Sequence, residues 1–143
     1  MSVVIDASMA LAWLFEREKT EEILWANGCL QYLATANADA VVPSLWYTEV
    51  ANGMLVGERR KLVTPAKASL FRANLANLPI RCDDSDVALR VDSALGLARA
   101  HQLSVYDATY LELAMRLGAT LASFDIALIV AAKSVGVSVD HLV

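Results

Sequence analysis

A chain of 143 residues has the length of one domain and buries most of its apolar surface on folding, so we expect a single domain over residues 1–143. The net charge of −4 and the pI of about 5.1 argue against a protein that holds nucleic acid by bulk electrostatics, because such proteins are usually basic. Any contact with nucleic acid is therefore expected to be local.

The hydropathy pattern argues against a membrane protein. The longest apolar stretch, residues 121–132, is interrupted by Ser123 and Asp125, so about 18 consecutive apolar residues occur nowhere. The N-terminus has no basic segment before its apolar run, which argues against a signal peptide and favours a cytoplasmic location. A hydrophobic content of 57% is nevertheless high for so small a body, which predicts an apolar surface that faces a partner.

In the first half of the chain, short apolar runs alternate with helical patterns. The β-branched run at residues 3–5 predicts a strand that leads into a helix over residues 7–15. Apolar residues at helical spacing predict a second helix over residues 21–36. Residues 40–43 are apolar and end in proline, which indicates a second strand. Ser44 then begins a helix that runs to about Lys61.

The second half continues the alternation of strands and helices. Thr64 and Pro65 are typical of a helix start, and Gly118 and Gly136 are typical of helix ends. A helix that begins at Thr64 and Pro65 is predicted to run to residue 77, and a strand follows at 79–82. Two further helices are predicted, one that ends at residue 100 and one over 104–118. A strand at 120–124, a helix at 126–135 and a last strand at 137–139 complete the predicted elements. This alternation predicts an α/β fold with a central, mainly parallel sheet covered by helices on both faces.

Four acidic residues interrupt apolar patterns, where charged side chains are uncommon. Asp6 ends the first strand and Asp125 follows the strand at 120–124, and ligands bind at the carboxyl ends of parallel strands. Glu49 and Asp107 lie on the apolar faces of helices. Carboxylates brought together repel unless a proton or a cation neutralises them, and oxygen-only ligands favour Mg²⁺ or Mn²⁺. The pattern therefore predicts a metal site that can hydrolyse phosphodiesters.

Each acid taken alone also has a structural explanation. Asp6 and Asp125 are placed to cap the helices that follow them. Ser104 with Asp107 fits a capping box, and Glu49 can extend to water. Only the joint occurrence of the four acids favours a catalytic metal site over these structural explanations.

The segments that carry the acids resemble the signature of PIN-domain proteins, and most closely that of VapC-type toxins. These segments are Val-Val-Ile-Asp6-Ala-Ser8, Pro43 to Asn52, Leu103 to Ala114 with its Tyr-Asp107-Ala core, and Leu121 to Asp125. The resemblance implies a three-layer α/β/α sandwich and an Mg²⁺- or Mn²⁺-dependent endoribonuclease that acts on RNA. It also implies a homodimer and inhibition by a small antitoxin protein whose tail covers the acidic pocket.

The resemblance also suggests which residues form the site. It matches Asp6, Glu49, Asp107 and Asp125 to the family's metal-binding acids. It matches Ser8 and Ser123 to polar positions whose hydroxyls hold a carboxylate or a water on the metal; a helix cap at Ser8 and a solvated strand end at Ser123 are the alternatives. Ala127 and Leu128 stand where some members carry a further acid, so a second metal is expected to be weak or absent.

Three other functions remain open at this stage. A different Mg²⁺-dependent phosphohydrolase would use Asp6 as its nucleophile, but usually needs a second acid where Ser8 stands. A receiver-like signalling module needs a lysine at a strand end, whereas Lys133 lies in a predicted helix. The third is a catalytically inactive PIN fold that serves as a protein-interaction module, which the intact set of acids disfavours.

The surplus of apolar residues predicts the position of a partner surface. We expect exposed side chains on the early helices to form a homodimer contact and a groove for an apolar helix of the antitoxin. The candidates are Trp13, Phe15, Trp25, Trp46, Met54 and Leu55.

Overall fold

The computed structural model describes residues 1–139. At its centre is a sheet of four parallel strands in the order β3-β2-β1-β4. The strands are β1 Val3–Ile5, β2 Ala40–Val42, β3 Ile80–Cys82 and β4 Thr120–Ala122. Helices connect each strand to the next, which confirms the predicted α/β/α architecture with a parallel sheet.

Seven helices flank the sheet within the described residues. They are α1 Ala7–Leu11, α2 Thr20–Leu33, α3 Leu45–Arg59, α4 Pro65–Ala76, α5 Val87–His101, α6 Val105–Leu117 and α7 Ile126–Ser134. Local chemistry sets several of their ends: the Thr64 hydroxyl accepts the N–H of Lys67 at 3.2 Å, and Gly118 ends α6 at φ 60°. None of these helices is long and apolar enough to cross a membrane.

Two predicted elements differ from the structure. The helix predicted over residues 7–15 ends at Leu11 and continues as a turn. The strand predicted at residues 137–139 is wrong, although the Ser138 carbonyl accepts the N–H of Leu121 at 2.8 Å. Gly136, at φ 80°, turns the chain just before this segment, which meets β4 through that hydrogen bond without forming a regular ladder.

The core lies on both faces of the sheet. Strands β1, β2 and β4 are buried along their whole length, as parallel strands under two helical layers must be, whereas β3 forms a more exposed edge. Helix α6 carries the next largest buried set, including Tyr110, Leu111 and Leu113, and packs against β1 and β4. Its first turn is thereby held beside the carboxyl ends of these two strands.

The side-chain exposure predicted for a partner surface is seen in part. Leu55 is 40% exposed and Trp13, Phe15, Trp25 and Met54 are partly buried, but Trp46 is only 3% exposed, so its predicted exposure is wrong. Trp46 lies in the first turn of α3, directly after β2, and its indole packs into the main core. Next to the sheet, the indole of Trp46 buries a large apolar area that an exposed position would leave in contact with water.

Helix α1 and the turn after it approach α3 closely at two glycines. A β-carbon on Gly53 would overlap the side chain of Leu11, and one on Gly57 would overlap the ring of Phe15. The small residues of α3 therefore let the helix that follows Asp6 lie against the helix that carries Glu49. This contact sets the spacing of two of the four acids.

We predict that Gly57→Ala destabilises the protein by about 1 kcal/mol, because its methyl group forces the Phe15 ring to move. The matched control is Gly96→Ala in the exposed part of α5, where nothing lies within 4 Å of the new methyl group. That change should stabilise the helix by about 0.5–1 kcal/mol. Urea unfolding of the three proteins measures both values, and equal gains at the two positions would contradict the close contact.

Candidate active site

All four predicted acids line one cleft. Its volume is about 560 Å³, and it opens at the carboxyl ends of β1 and β4 between α1, α3 and α6. The structure thus brings together the side chains of Asp6, Glu49, Asp107 and Asp125 from four separate elements. A location at the carboxyl edge of a parallel sheet is where binding sites of open α/β folds form.

Asp6 is the most deeply placed of the four acids, with 5% of its surface exposed. The hydroxyls of Ser8 and Ser123 both donate to its Oδ2 atom at 2.7 Å. Burial raises the pKa of Asp6, and the two hydroxyls partly offset this effect because they stabilise the ionised form. Asp6 occupies the N-cap position of α1, but its side chain makes no capping bond. Capping therefore does not explain this residue.

The two serines are held by the backbone as well as by Asp6. Ser8 Oγ accepts the N–H of Phe124 at 3.0 Å, and Ser123 Oγ accepts the N–H of Asp125 at 3.0 Å. Each hydroxyl consequently accepts a hydrogen bond from a backbone N–H and donates its own proton to the Asp6 carboxylate. Ser123 is buried, so it is not the solvated strand end that its position also allowed.

Asp125 both caps a helix and lines the cleft. Its Oδ1 atom accepts the N–H of Leu128 at 2.8 Å, so it caps α7 as the simpler explanation proposed. It also lines the acidic cleft. Capping and a place in the site are therefore compatible at this position.

Asp107 shows how strongly the acids affect one another. Its pKa is raised to about 6, first by burial and then by the charges of Asp125, Asp6 and Glu49 in that order of importance. Ser104 caps α6 by accepting the N–H of Asp107 at 3.0 Å, as half of the predicted capping box. Part of this raised pKa therefore comes from repulsion by the other three acids.

Tyr110 is a site residue that the sequence analysis did not single out. Its hydroxyl donates to Oε1 of Glu49 at 2.6 Å, and its side chain is 0% exposed. Burial raises the pKa of Tyr110, so the phenol keeps its proton, and burial also raises the pKa of Glu49, which the phenol partly offsets. The available signal was a tyrosine on the buried face of α6, because a buried phenol needs a polar partner.

The donor set fits a hard divalent cation. The cleft offers carboxylate, hydroxyl and amide oxygens, including those of Thr48 and Asn52, and no sulfur or imidazole ligand. Across residues 1–139, no three His, Cys, Asp or Glu side chains are grouped tightly enough to hold one ion. A cation bound there would draw the acids closer, and its charge would offset the repulsion that contributes to the raised pKa of Asp107.

Comparison with known proteins defines the class of this protein. Residues 3–134 match the family profile described as PIN domain, and the chain belongs to the PIN-domain family. Among curated proteins, it is 30% identical over 125 residues to Ribonuclease VapC3 of Pyrobaculum aerophilum. The alignment covers 87% of this chain and 90% of that protein.

Two solved structures share the fold. PAE2754 from Pyrobaculum aerophilum superposes with a TM-score of 0.67 at 21% identity, covering 92% of this chain and 87% of that one. FitAcB from Neisseria gonorrhoeae superposes with a TM-score of 0.61 at 16% identity, covering 95% and 94%. At these identities the likeness establishes the architecture alone.

We predict that the carboxyl group of Asp107 titrates with a pKa of about 6 in the metal-free protein. Asp125→Asn should lower this pKa, because it removes the largest repelling charge while an asparagine still caps α7. Carbon-13 NMR of labelled aspartate measures both values. Asp92→Asn, at an exposed position of α5, is the control and should leave the pKa unchanged. An Asp107 pKa near 3.8 in the parent would contradict the electrostatic description of the cleft.

The same shift has a consequence for stability. Because the folded protein holds this proton more tightly than the unfolded chain, the contribution of Asp107 falls as the pH rises from about 4 to about 6. Asp107→Asn should remove that part of the pH dependence, which thermal unfolding at several pH values measures.

Proposed function

We propose that residues 1–143 form a single PIN domain that acts as a metal-dependent endoribonuclease, the toxin of a toxin–antitoxin pair in the cytoplasm. Membership of the PIN-domain family and the likeness to a protein named Ribonuclease VapC3 support this function. The observation that carries it is the cleft in which four mutually repelling acids meet at the carboxyl edge of the sheet.

In this proposal Asp6, Glu49, Asp107 and Asp125 bind Mg²⁺ or Mn²⁺. A bound ion of this kind supplies positive charge that activates water and stabilises the charge developing on a phosphodiester. Ser8 and Ser123 orient the Asp6 carboxylate, since both hydroxyls donate to the same oxygen. The cation is also what lets an anionic RNA enter a cleft lined by acids, because the bare carboxylates would repel its phosphates.

Other residues of the cleft can contact the RNA chain. Thr48 and Asn52 lie on α3 on either side of Glu49 and offer hydrogen-bonding groups at the mouth. Tyr106, which is 66% exposed, offers an aromatic face for an unstacked base. Contacts of this kind are local and agree with the acidic character of the chain as a whole.

We expect Asp6→Asn to reduce Mn²⁺-dependent cleavage of a labelled RNA at least about 100-fold, because it removes a charge from the metal site. Without metal, the variant should melt no lower than the parent, since it neutralises a buried acid whose pKa is already raised. Asp92→Asn is the matched control and should cleave normally. Retained cleavage by Asp6→Asn would contradict the proposed site, and a large loss of thermal stability would point to a structural role for Asp6.

An inactive protein-interaction module is the alternative that one observation favours. In the described residues, no three candidate ligands are grouped closely enough to hold a metal. Titration of Mn²⁺ into the purified protein separates the two functions, because a scaffold has no need to bind the ion.

A phosphohydrolase that uses Asp6 as its nucleophile is less favoured, because Asp6 is buried and two hydroxyls occupy its Oδ2 atom.

The proposed partners are a second copy of the chain and a small antitoxin protein. Large apolar side chains are exposed on the early helices, among them Leu24, Leu30 and Leu55. A cleft of about 270 Å³ between α3 and α4 adds a largely apolar concavity, lined by residues that include Tyr47, Met54 and Leu75. These surfaces are suited to an apolar helix.

We predict that the purified chain is a dimer at both low and high ionic strength, because apolar contacts are not screened by salt. Light scattering in about 0.05 M and about 1 M salt tests this expectation. Co-expression with the neighbouring open reading frame should recover a small partner. A monodisperse monomer in both salts, with no partner recovered, would contradict the proposal.

A further inference from the structure

Tyr110 joins the acidic cleft to the core of the protein. Its hydroxyl donates to Glu49 Oε1 at 2.6 Å, although the two residues are 61 positions apart in the sequence. The phenol also lies beside the Asp6 carboxylate and the N–H of Ala7, where β1 passes into α1. One buried side chain of α6 therefore meets both α3 and the end of β1.

We propose that Tyr110 is a positioning residue that restricts the Glu49 carboxylate to one orientation at the cleft before any cation arrives. This inference rests on the proposed function, because it concerns how the same site is assembled. It assigns a role in metal binding to a residue that does not itself touch the metal.

The need for such support follows from the chemistry of glutamate. Its side chain has more rotatable bonds than that of aspartate, so a partly buried glutamate samples more orientations and loses more entropy when an ion fixes it. Asp6 is held by two hydroxyls and Asp125 by the N–H of Leu128. For Glu49, the corresponding donor is the phenol of Tyr110.

A phenol suits this task better than a basic side chain. It donates a hydrogen bond without adding positive charge, so Glu49 retains its full negative charge for a cation. The ring is 0% exposed and packs with the main core, so its position is set by the core packing of α6. The hydroxyl therefore stands at a fixed point, and Glu49 is oriented against it.

The main test is the affinity of the purified full chain for Mn²⁺, measured by isothermal titration calorimetry. Tyr110→Phe keeps the ring and removes only the hydroxyl, and should weaken Mn²⁺ binding roughly three- to tenfold. The matched control is Tyr32→Phe. That residue donates to the Met1 carbonyl at 2.7 Å and accepts the N–H of Asp39, away from the cleft, so its loss should leave the affinity unchanged.

A double-mutant cycle shows whether Tyr110 acts through Glu49. In a Glu49→Ala background, Tyr110→Phe should cause no further loss of Mn²⁺ affinity, because there is no carboxylate left to orient. It should instead restore some stability, since Glu49→Ala leaves a buried hydroxyl without its acceptor. The same fold-loss of affinity in both backgrounds would overturn the inference and indicate a general structural role.

A measurement on the unaltered protein keeps the inference testable even if Tyr110→Phe does not fold. Side-chain couplings of labelled Glu49 in metal-free protein should report one dominant rotamer, and averaged couplings would overturn the inference. The proposed function and the inference about Tyr110 are contradicted by different results. Absence of Mn²⁺ binding by the parent removes the proposed function together with this inference. Equal binding by the parent and Tyr110→Phe removes the inference alone.

Discussion

Repulsion among four carboxylates is the constraint on which this site depends. Asp6, Glu49, Asp107 and Asp125 come from four elements, and burial together with the charges of the other three raises the pKa of Asp107 to about 6. A fold tolerates such an arrangement only if neutral donors hold the acids and a proton or a cation offsets their charge. The hydroxyls around Asp6, the phenol at Glu49 and the backbone N–H at Asp125 supply the first requirement. The proposed divalent cation would supply the second.

The rest of the architecture keeps these acids together. The short parallel strands β1 and β4 place Asp6 and the segment Ser123 to Asp125 at the same edge. The glycines of α3 let α1 pack closely against it, which brings the helix bearing Glu49 near Asp6. The buried face of α6 rests on the same two strands, so Asp107 enters from a third direction. The site is thus a product of the sheet edge and the packing of three helices.

Much of this could be predicted from the sequence, because its signals were local. The β-branched run before Asp6 and the strand pattern before Asp125 identified the strand ends, and apolar helix faces interrupted by acids identified Glu49 and Asp107. The Glu49–Tyr110 bond was not accessible, because it depends on how α3 and α6 pack across 61 residues of chain. The burial of Trp46 was missed because a surplus of apolar residues does not say which of them the core takes up and which stay exposed. The strand expected at residues 137–139 was wrong, because an apolar run does not by itself say whether the segment pairs in a regular ladder.

Asp125 shows how two demands on one position restrict the residues it can accept. Its side chain caps the N-terminus of α7, and its carboxylate contributes a charge to the cleft. Asparagine would satisfy only the first demand, and glutamate, a poor N-cap, only the second. Mutational tolerance at this position should therefore be narrower than at Asp6, where capping plays no part. An alanine scan would overstate the weight of Asp125 in the proposed metal site, because alanine there also removes the N-cap of α7.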